Sequence, residues 1–270
     1  LPIAGSVASV RRVGATELRE HHWRVLHEYP LVVVAVGDLE HRPVVDRVRD
    51  LLSLKASTRP DVVLPRTGSG RGAGIRRKDV TQTNVVLGTS IPIREQGHQR
   101  LALGLMNVIF GDGMASRLFQ KVREEYGLAY SIYSAVDNYR GCRSFDIALG
   151  MEPKRQQKAL DLIRVEVRNL LQQGLQSGEL ERAKSTMLGG IMLGMDGPSH
   201  RMNRLARQVI RSGHFSSFPK LRKELTSVSD REVMDVVEEV FALASWSAGA
   251  VIPRRGSEID LEPVLHFSKA

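Results

Sequence analysis

The sequence predicts an α/β fold of the α+β kind, with helices packed against a mostly antiparallel sheet. Apolar residues recur at helical spacing in several segments, and short runs rich in β-branched residues separate these segments. Some of the predicted strands follow each other too closely for a crossover helix, which favours antiparallel pairing. With 270 residues the chain is long enough to bury a large core.

The first fifty residues predict two helices with a strand between them. Thr16 can cap a helix that continues to about Glu28, with apolar residues along one side. Residues 31–37 form an apolar, valine-rich run, as in a strand that is buried on both faces. A second amphipathic helix follows, in which apolar residues recur from Val44 to Leu52.

The stretch from residue 53 to 79 has the composition of a linker. It contains Pro60, Pro65 and the glycine-rich segment 67–74, whose ordering would cost much conformational entropy. We therefore expect no packed element here. This places residues 1–54 in one domain and residues 81–270 in a second domain, with a Gly/Pro-rich linker at 55–80 between them.

The second domain alternates predicted strands with predicted helices. Strands are expected at residues 83–88, 128–136, 144–150 and 246–252, with a turn at 137–141. Helices are expected at 95–110, 115–126 and 154–173, and further helices after Gly178 and between 199 and 242.

Composition narrows the function classes. The net charge of +9 suggests nucleic-acid binding as an alternative, but the excess is mostly arginine spread over helical segments and aromatic residues make up only 5%. We expect no nucleic-acid partner. No apolar run approaches the ~18–20 residues that span a bilayer, and no leader segment is evident. We expect a soluble protein, and the bacterial cytoplasm and periplasm are both compatible with it.

No zinc or nucleophile motif is present in the sequence. None of the eight histidines belongs to a His-Glu-x-x-His pattern or to its inverted form, His-x-x-Glu-His. A Gly-x-Ser-x-Gly elbow is also missing. The single cysteine, Cys142, can form neither an intramolecular disulfide nor a metal cluster. We therefore expect no metal site in this chain.

Residues 111–133 combine a glycine-flexed turn, a short amphipathic helix ended by Gly127, and a strand. Arg123 falls in the last helical turn and Tyr130 on the strand, so both can project from one helix-to-strand corner. The residues alone leave two interpretations open. Either Arg123 pairs with an acid such as Glu124 and Tyr130 is a half-buried strand aromatic, or both side chains face a cleft.

The same segment resembles a signature of the insulinase, pitrilysin and mitochondrial processing peptidase family. Bacterial members share the pattern G-x-G-[MS]-[SA]-S-R-L-F-x-x-[IV]-R-E-x-x-G-L-A-Y, which residues 111–130 match. Residues 32–41 are similar to the end of the family's first domain, and residues 81–88 to the first strand of its second. Residues 179–184 and 199–205 resemble later helices, so the resemblance covers nearly the whole chain.

The resemblance implies a processing-peptidase-like metallohydrolase fold and a chain that is the zinc-free C-terminal half. Residues 1–54 then correspond to the tail of the first domain, and the inverted zinc motif belongs to a part that this chain does not include. Zinc is expected in a partner or in the missing half, with no cofactor in this chain. The start without methionine favours a fragment over a subunit that never had the motif.

The resemblance also implies roles for five residues. In this family an Arg and a Tyr seven residues apart face the zinc site across a chamber, hold the substrate backbone and stabilise the oxyanion. Arg123 and Tyr130 are expected to be this catalytic pair, and Gly111, Gly113 and Met114 to shape the substrate-binding wall.

The expected function is therefore that of the substrate-binding half of a zinc-dependent endopeptidase, inactive alone. The expected partners are an unstructured peptide and a zinc-bearing half, in a homo- or heterodimer. The alternative from another class is a non-catalytic structural subunit, like the core proteins of respiratory complexes that share this fold.

Overall fold

The computed structural model describes residues 3–52, 70, 72–92, 98–139, 142–243, 245–255 and 258–267. The chain forms two compact units. The smaller unit contains residues 1–63 and 194–215, and the larger one contains residues 64–193 and 216–270. The predicted start of a helix at residue 95, the predicted linker residues 55–69 and the centre of the predicted turn at 140–141 lie outside the described residues.

The described elements comprise α-helices, strands, two π-helices and short 3-10 turns. The α-helices are α1 (Val7–Arg12), α2 (Ala15–Glu28), α3 (His41–Leu52), α4 (His98–Phe110), α5 (Gln156–Gln173), α6 (Glu179–Gly194), α7 (Pro198–Ser212), α8 (Phe218–Ser227) and α9 (Asp230–Val237). The strands are β1 (Gly72–Lys78), β2 (Thr83–Pro92), β3 (Ala129–Asn138), β4 (Cys142–Met151) and β5 (Trp246–Pro253). The π-helices are π1 (Phe119–Glu125) and π2 (Glu238–Leu243), and 3-10 turns occupy Pro153–Arg155 and Glu262–Leu265.

The smaller unit consists of helices whose apolar side chains stay accessible. Helices α2 and α3 confirm the predicted helices, and the Glu17 carboxylate accepts the backbone N–H of Gly14 at 3.0 Å at the start of α2. None of the side chains described in this unit is buried, and Leu18 and Trp23 are each 57% exposed. The helices therefore form from local signals without a core of their own.

The predicted strand at residues 31–37 is wrong. These residues form neither helix nor strand, and Leu31, Val32 and Val33 are exposed. A strand needs hydrogen-bonding neighbours for its backbone, and no segment of the described chain pairs with this run. High β-propensity is not sufficient where the partner strands are missing.

The larger unit contains a five-stranded sheet in the order β1-β5-β2-β4-β3. Strand β2 pairs antiparallel with β4 and β5, and β3 pairs antiparallel with β4. This confirms the predicted mostly antiparallel sheet. The exception is β1, which runs parallel to β5 from Gly72 opposite Ser247 to Lys78 opposite Pro253.

Strand β1 corrects the prediction that nothing in the segment 53–79 forms a packed element. Its seven residues are all exposed, and the strand forms an edge of the sheet through backbone pairing with β5. No apolar alternation is needed for such a strand, which is why its glycine-rich and basic composition concealed it. The division of the chain into family domains at 1–54, 55–80 and 81–270 stays a prediction.

One face of the sheet forms the core. Alternate residues of the central strands, such as Val85 and Leu87 on β2 and Phe145 and Ile147 on β4, are buried against the helices. An aromatic cluster fills one end of this core. Its members pack with ring centroids 4.9–6.4 Å apart: Phe110, Phe145, Phe241, Trp246 and Phe267.

We expect Phe241→Ala to lower the free energy of unfolding by about 3–5 kcal/mol, because a buried aromatic ring is replaced by a cavity. Phe241 lies on π2 and stacks on Trp246 at 5.7 Å with an interplanar angle of 6°. Denaturant titration measures the change. The matched control is Phe215→Ala, since Phe215 is 56% exposed and its loss should change stability little. Equal effects of the two substitutions would contradict the packing described here.

Helix α9 is tied to the start of α4 by a charged hydrogen bond. Ser229 caps α9, and its backbone N–H donates to the Glu232 carboxylate at 2.8 Å. His98 Nδ1 lies 2.7 Å from the same carboxylate. The Ser229 N–H, then His98 and the Ser229 hydroxyl, lower the pKa of Glu232 to about 2.

This lowered pKa predicts an acid-sensitive contribution to stability. In the unfolded chain the group titrates near 4.5, so its contribution is fully present above that pH and is lost as the pH falls towards 2. We expect the stability difference between the wild type and Glu232→Gln to be larger near pH 6 than near pH 3, and modest because the group is partly exposed. Urea titration at both pH values tests this, and a difference independent of pH would refute it.

Candidate functional site

The predicted helix at residues 115–126 is a π-helix over most of its length. Tyr126 donates its N–H to the Lys121 carbonyl at 3.1 Å, a bond between residues five apart. Gly127 follows with a left-handed φ of +58°, and Leu128 donates to the Val122 carbonyl at 2.8 Å. The chain thus turns directly from π1 into β3. Because π-turns are rare and concentrate at functional sites, this corner is the first candidate site.

Arg123 projects from π1 into solvent. Its guanidinium carbon lies 4.8 Å from the centroid of the Phe119 ring, a cation–π contact. Its Nε is 3.7 Å from Glu124, an ion pair of solvent-exposed side chains that stabilises little. The pairing of Arg123 with Glu124 that the sequence allowed is therefore present but loose, and the Arg123 side chain is 43% exposed.

Tyr130 lies at a β-bulge. The pairing of β3 with β4 shifts between Ala129 and Ser131, so that Tyr130 is the extra residue. As a result two successive side chains, Tyr130 and Ser131, are exposed between the buried Ala129 and Ile132. Bulges of this kind re-aim side chains. At 59% exposure, Tyr130 is not the half-buried strand aromatic of the alternative interpretation.

Gly111 carries the loop after α4 directly across β3. Its carbonyl accepts the N–H of Ser134 at 3.1 Å, and a side-chain carbon on Gly111 would lie 2.7 Å from that nitrogen. Below the contact, the Ser134 hydroxyl donates to the Asn107 side-chain oxygen at 2.7 Å. Only glycine permits this approach. Gly111 is buried, so it cannot itself contact a substrate. Its contribution to the predicted substrate-binding wall is to position the loop.

Gly113 and Met114 form the exposed tip of this loop. Gly113 has a φ of +102°, and its carbonyl accepts the Ser116 hydroxyl at 2.7 Å. Met114 is 75% exposed, and its carbonyl accepts the Gln120 side-chain amide at 2.6 Å. Of the three predicted wall residues, Met114 is the one that presents a side chain to solvent.

Sequence reasoning missed the ion pair beneath this corner. Arg117 donates from Nε and Nη2 to the two carboxylate oxygens of Glu179 at 2.8 and 2.6 Å, and each side chain is only 8% exposed. Nη2 also donates to the Gly174 carbonyl, and the carboxylate accepts the N–H of Gln176. The sequence offered two signals for this pair. Arg117 stands directly before the apolar residues of a predicted helix, and Glu179 stands at the start of a later predicted helix.

Glu166 lies buried on α5 beside the same pair. Burial raises the pKa of its carboxyl, while the charges of Arg117 and Lys121 and a hydrogen bond from Asn169 oppose the rise. The positive charge of Arg117 thus interacts with two carboxyl groups, those of Glu166 on α5 and Glu179 on α6. These interactions connect α5 and α6 to the segment that carries Arg123.

The second face of the sheet carries the side chains that point away from the core. We call it the open face and define it by residues that alternate along the strands with the core-facing ones: Asn84, Val86, Gly88, Ser90, Ser131, Tyr133, Ala135, Asp137, Ser144, Asp146, Ala148 and Gly150. Its Asp146 has a pKa raised by burial and by Asp137, and lowered by the Ser144 hydroxyl, which donates at 2.9 Å.

Within the described ranges, no group of three or more His, Cys, Asp or Glu side chains could hold a metal ion. Helices long and apolar enough to cross a membrane are also absent from that part of the chain. A cavity of about 490 Å³ lies beside α5, α9 and π2, with Arg168 and Met234 in its lining. No predicted site residue lines this cavity, so the corner at π1 and β3 stays the candidate site.

The family model for the peptidase M16 inactive domain matches residues 12–187, more than half of the chain. The chain belongs to this family. Membership confirms the family predicted from the signature segment. It also confirms the predicted fold class, which the solved structures support independently.

Several curated relatives of this M16 chain are named zinc proteases, and a relative from Helicobacter pylori, 24% identical over 87% of this chain and 54% of that protein, is named a non-peptidase homolog. An uncharacterized zinc protease of Mycobacterium tuberculosis is 31% identical over 265 residues, which is 96% of this chain and 60% of that protein. The chain therefore spans about 60% of the length of these mycobacterial relatives.

Solved structures with low sequence identity share the fold. The peptidase M16 inactive domain of Pseudomonas fluorescens superimposes with a TM-score of 0.77 at 18% identity, over 94% of this chain and 61% of that one. A chain of complex III2 from Candida albicans gives a TM-score of 0.74 at 14% identity, over 93% and 62%. The same fold therefore occurs in a peptidase M16 inactive domain and in a chain of complex III2.

We expect Arg117→Met to lower the free energy of unfolding by about 3–5 kcal/mol, because Glu179 is left as a buried, unpaired charge. The double variant Arg117→Met/Glu179→Leu should recover much of this loss, since it removes both charges. Denaturant titration of the four members of this cycle measures the coupling. The matched control is Lys220→Met, which breaks the more exposed pair with Glu224 on α8 and should change little. A double variant no more stable than Arg117→Met would contradict the ion pair.

Proposed function

We propose that this M16 chain is the substrate-binding half of a zinc-dependent endopeptidase and supplies Arg123 and Tyr130 to a facing, zinc-bearing half. One observation carries the proposal. The signature segment forms a helix-to-strand corner, with an exposed arginine on π1 before the turn at Gly127 and an exposed tyrosine at the bulge of β3 after it. Bulges and π-helices are irregular elements that occur frequently at functional sites, and here each of them carries one of the two side chains.

The chemistry of the two side chains suits peptide hydrolysis. The Tyr130 hydroxyl can donate to the oxyanion that develops on the scissile carbonyl. The Arg123 guanidinium can donate two parallel hydrogen bonds to carbonyl groups of the substrate backbone. The loop tip with Gly113 and Met114, whose loop is held on β3 through Gly111, is proposed as the substrate-binding wall of the same site.

Zinc does not fit this chain. Its described residues offer no cluster of ligands, and its sequence has no zinc motif, so the metal belongs to the partner or to the other half. Zinc would supply a polarised water nucleophile there. The contribution of this chain is to bind the peptide, orient its carbonyl and stabilise the negative charge.

The proposed partner is also supported by the smaller unit. Residues 1–54 are proposed as the tail of a first domain, residues 55–80 as the linker and residues 81–270 as the second domain. The apolar run at 31–36 and the apolar sides of α2 and α3 stay accessible, as expected for part of a domain. A homo- or heterodimer, or the two halves of one subunit, would enclose an unstructured peptide between them.

We expect Tyr130→Phe to lower kcat about 10²- to 10³-fold in the complete enzyme, because an oxyanion donor is lost. The enzyme is this chain with a half that carries the His-x-x-Glu-His motif, and the substrate is a quenched unstructured peptide with zinc present. The matched control is Tyr133→Phe, since Tyr133 is 52% exposed on the same strand. That variant should retain activity.

Unchanged kcat in Tyr130→Phe, or an equal loss in Tyr133→Phe, would remove the oxyanion role. The chain without its partner half should show no peptidase activity. Activity of the chain alone would contradict the proposal that the other half supplies the zinc site.

The second candidate function is a non-catalytic structural subunit. The similarity to a chain of complex III2 from Candida albicans favours it. The exposed Arg123 and Tyr130 oppose it, because a purely structural subunit does not require this pair at a rigid corner. A folded chain that gives no activity with any zinc-bearing half would favour the structural role.

A further inference from the structure

The bulge at Tyr130 begins a line of residues across three strands of the open face. Ser131 on β3 pairs with Gly150 on β4, and Gly150 pairs with Asn84 on β2. Neighbouring strands are separated by about 4.8 Å, so the line runs across the sheet directly beside Tyr130.

Gly150 lets two polar side chains converge. A side-chain carbon on this residue would lie 3.1 Å from the Ser131 hydroxyl oxygen and 3.2 Å from the Asn84 amide oxygen. Both oxygens therefore flank one point above the glycine. A larger residue would push them apart, so the absence of a side chain at Gly150 maintains the pair.

The orientation of Asn84 follows from that of its neighbour Thr83, whose buried side chain is held by hydrogen bonds. The Thr83 hydroxyl donates to the Gln156 side-chain oxygen at 2.7 Å, and Gln156 donates to the Glu258 carbonyl at 2.6 Å. Because side chains alternate along a strand, a buried Thr83 directs Asn84 to the open face.

The two side chains have unused hydrogen-bonding capacity. Among the residues that the structure describes, no hydrogen bond joins the side chain of Asn84 or Ser131 to another group. On the same face the Ser144 hydroxyl is engaged differently, since it donates to the Asp146 carboxylate at 2.9 Å. Both Asn84 and Ser131 are exposed, so this capacity faces solvent.

We propose that Asn84 and Ser131 are positioning residues that bind the backbone of an extended peptide next to Tyr130. The inference rests on the proposed function and specifies how its substrate is held. A serine hydroxyl and an asparagine amide each donate and accept, so together they match the C=O and N–H groups of a peptide backbone. Neither carries charge, so this contact selects an extended backbone and not a particular side chain.

The test measures peptide binding separately from catalysis. The complete enzyme, treated with a chelator to remove zinc, is titrated with a fluorescein-labelled unstructured peptide and followed by anisotropy. Asn84→Ala and Ser131→Ala should each weaken binding about three- to tenfold, as for the loss of one hydrogen bond. Ser131→Thr keeps the hydroxyl and should bind as the wild type does. With zinc restored, the two alanine variants should raise KM and leave kcat near the wild-type value.

The matched control is Ser90→Ala. Ser90 lies on the same strand and face as Asn84 but about 20 Å away at the strand spacing of ~3.3 Å per residue. It should not change the affinity. Unchanged affinity in both alanine variants, or an equal loss in Ser90→Ala, would overturn the positioning role.

The outcomes also separate this inference from the proposed function. If Tyr130→Phe lowers kcat but the alanine variants bind the peptide normally, only the inference fails. If the alanine variants weaken binding but Tyr130→Phe keeps its kcat, only the oxyanion role fails. If the wild-type enzyme binds no peptide, both are overturned.

Discussion

The buried ion pair between Arg117 and Glu179 is the interaction on which the candidate site depends. It joins two segments that are 62 residues apart in the chain, and it lies immediately before π1. A buried charge is tolerated only when it is paired and hydrogen-bonded, and here the Gly174 carbonyl and the Gln176 N–H complete the arrangement. The start of π1 is thereby held against α6. The direction in which the helix leaves, and with it the exposure of Arg123, follows from this anchor.

Close backbone approaches complete the corner. Gly111 brings the loop after α4 into hydrogen-bonding contact with β3, and the bulge on the same strand turns Tyr130 and Ser131 outward together. On the neighbouring strand, Gly150 leaves room for polar groups to converge. Each feature depends on the absence of a side chain or on one extra residue. The site is therefore built from irregularities that a regular sheet would not contain.

Local and non-local elements differ in how far the sequence predicted them. Helices α2 and α3 were predicted because their hydrogen bonds lie within the segment and their periodicity is visible. The run at 31–37 was predicted as a strand from its apolar, valine-rich composition and was wrong, since a strand needs partners that the described chain does not offer. Strand β1 was missed for the opposite reason, because β5 provides its pairing and its own side chains carry no signal.

The sequence by itself determined the family and the mixed fold with its mostly antiparallel sheet, since these depend on motif and periodicity. Arg123 and Tyr130 became candidates through the family resemblance, and their roles stay a prediction. Only the tertiary structure decided that a π-helix presents the arginine and that a bulge presents the tyrosine. Only the tertiary structure showed that Arg117 pairs with Glu179 and that Asn84 and Ser131 lie on either side of Gly150. The physical reason is that register, bulges and buried ion pairs are set by contacts between residues far apart in the chain, and no local pattern encodes them.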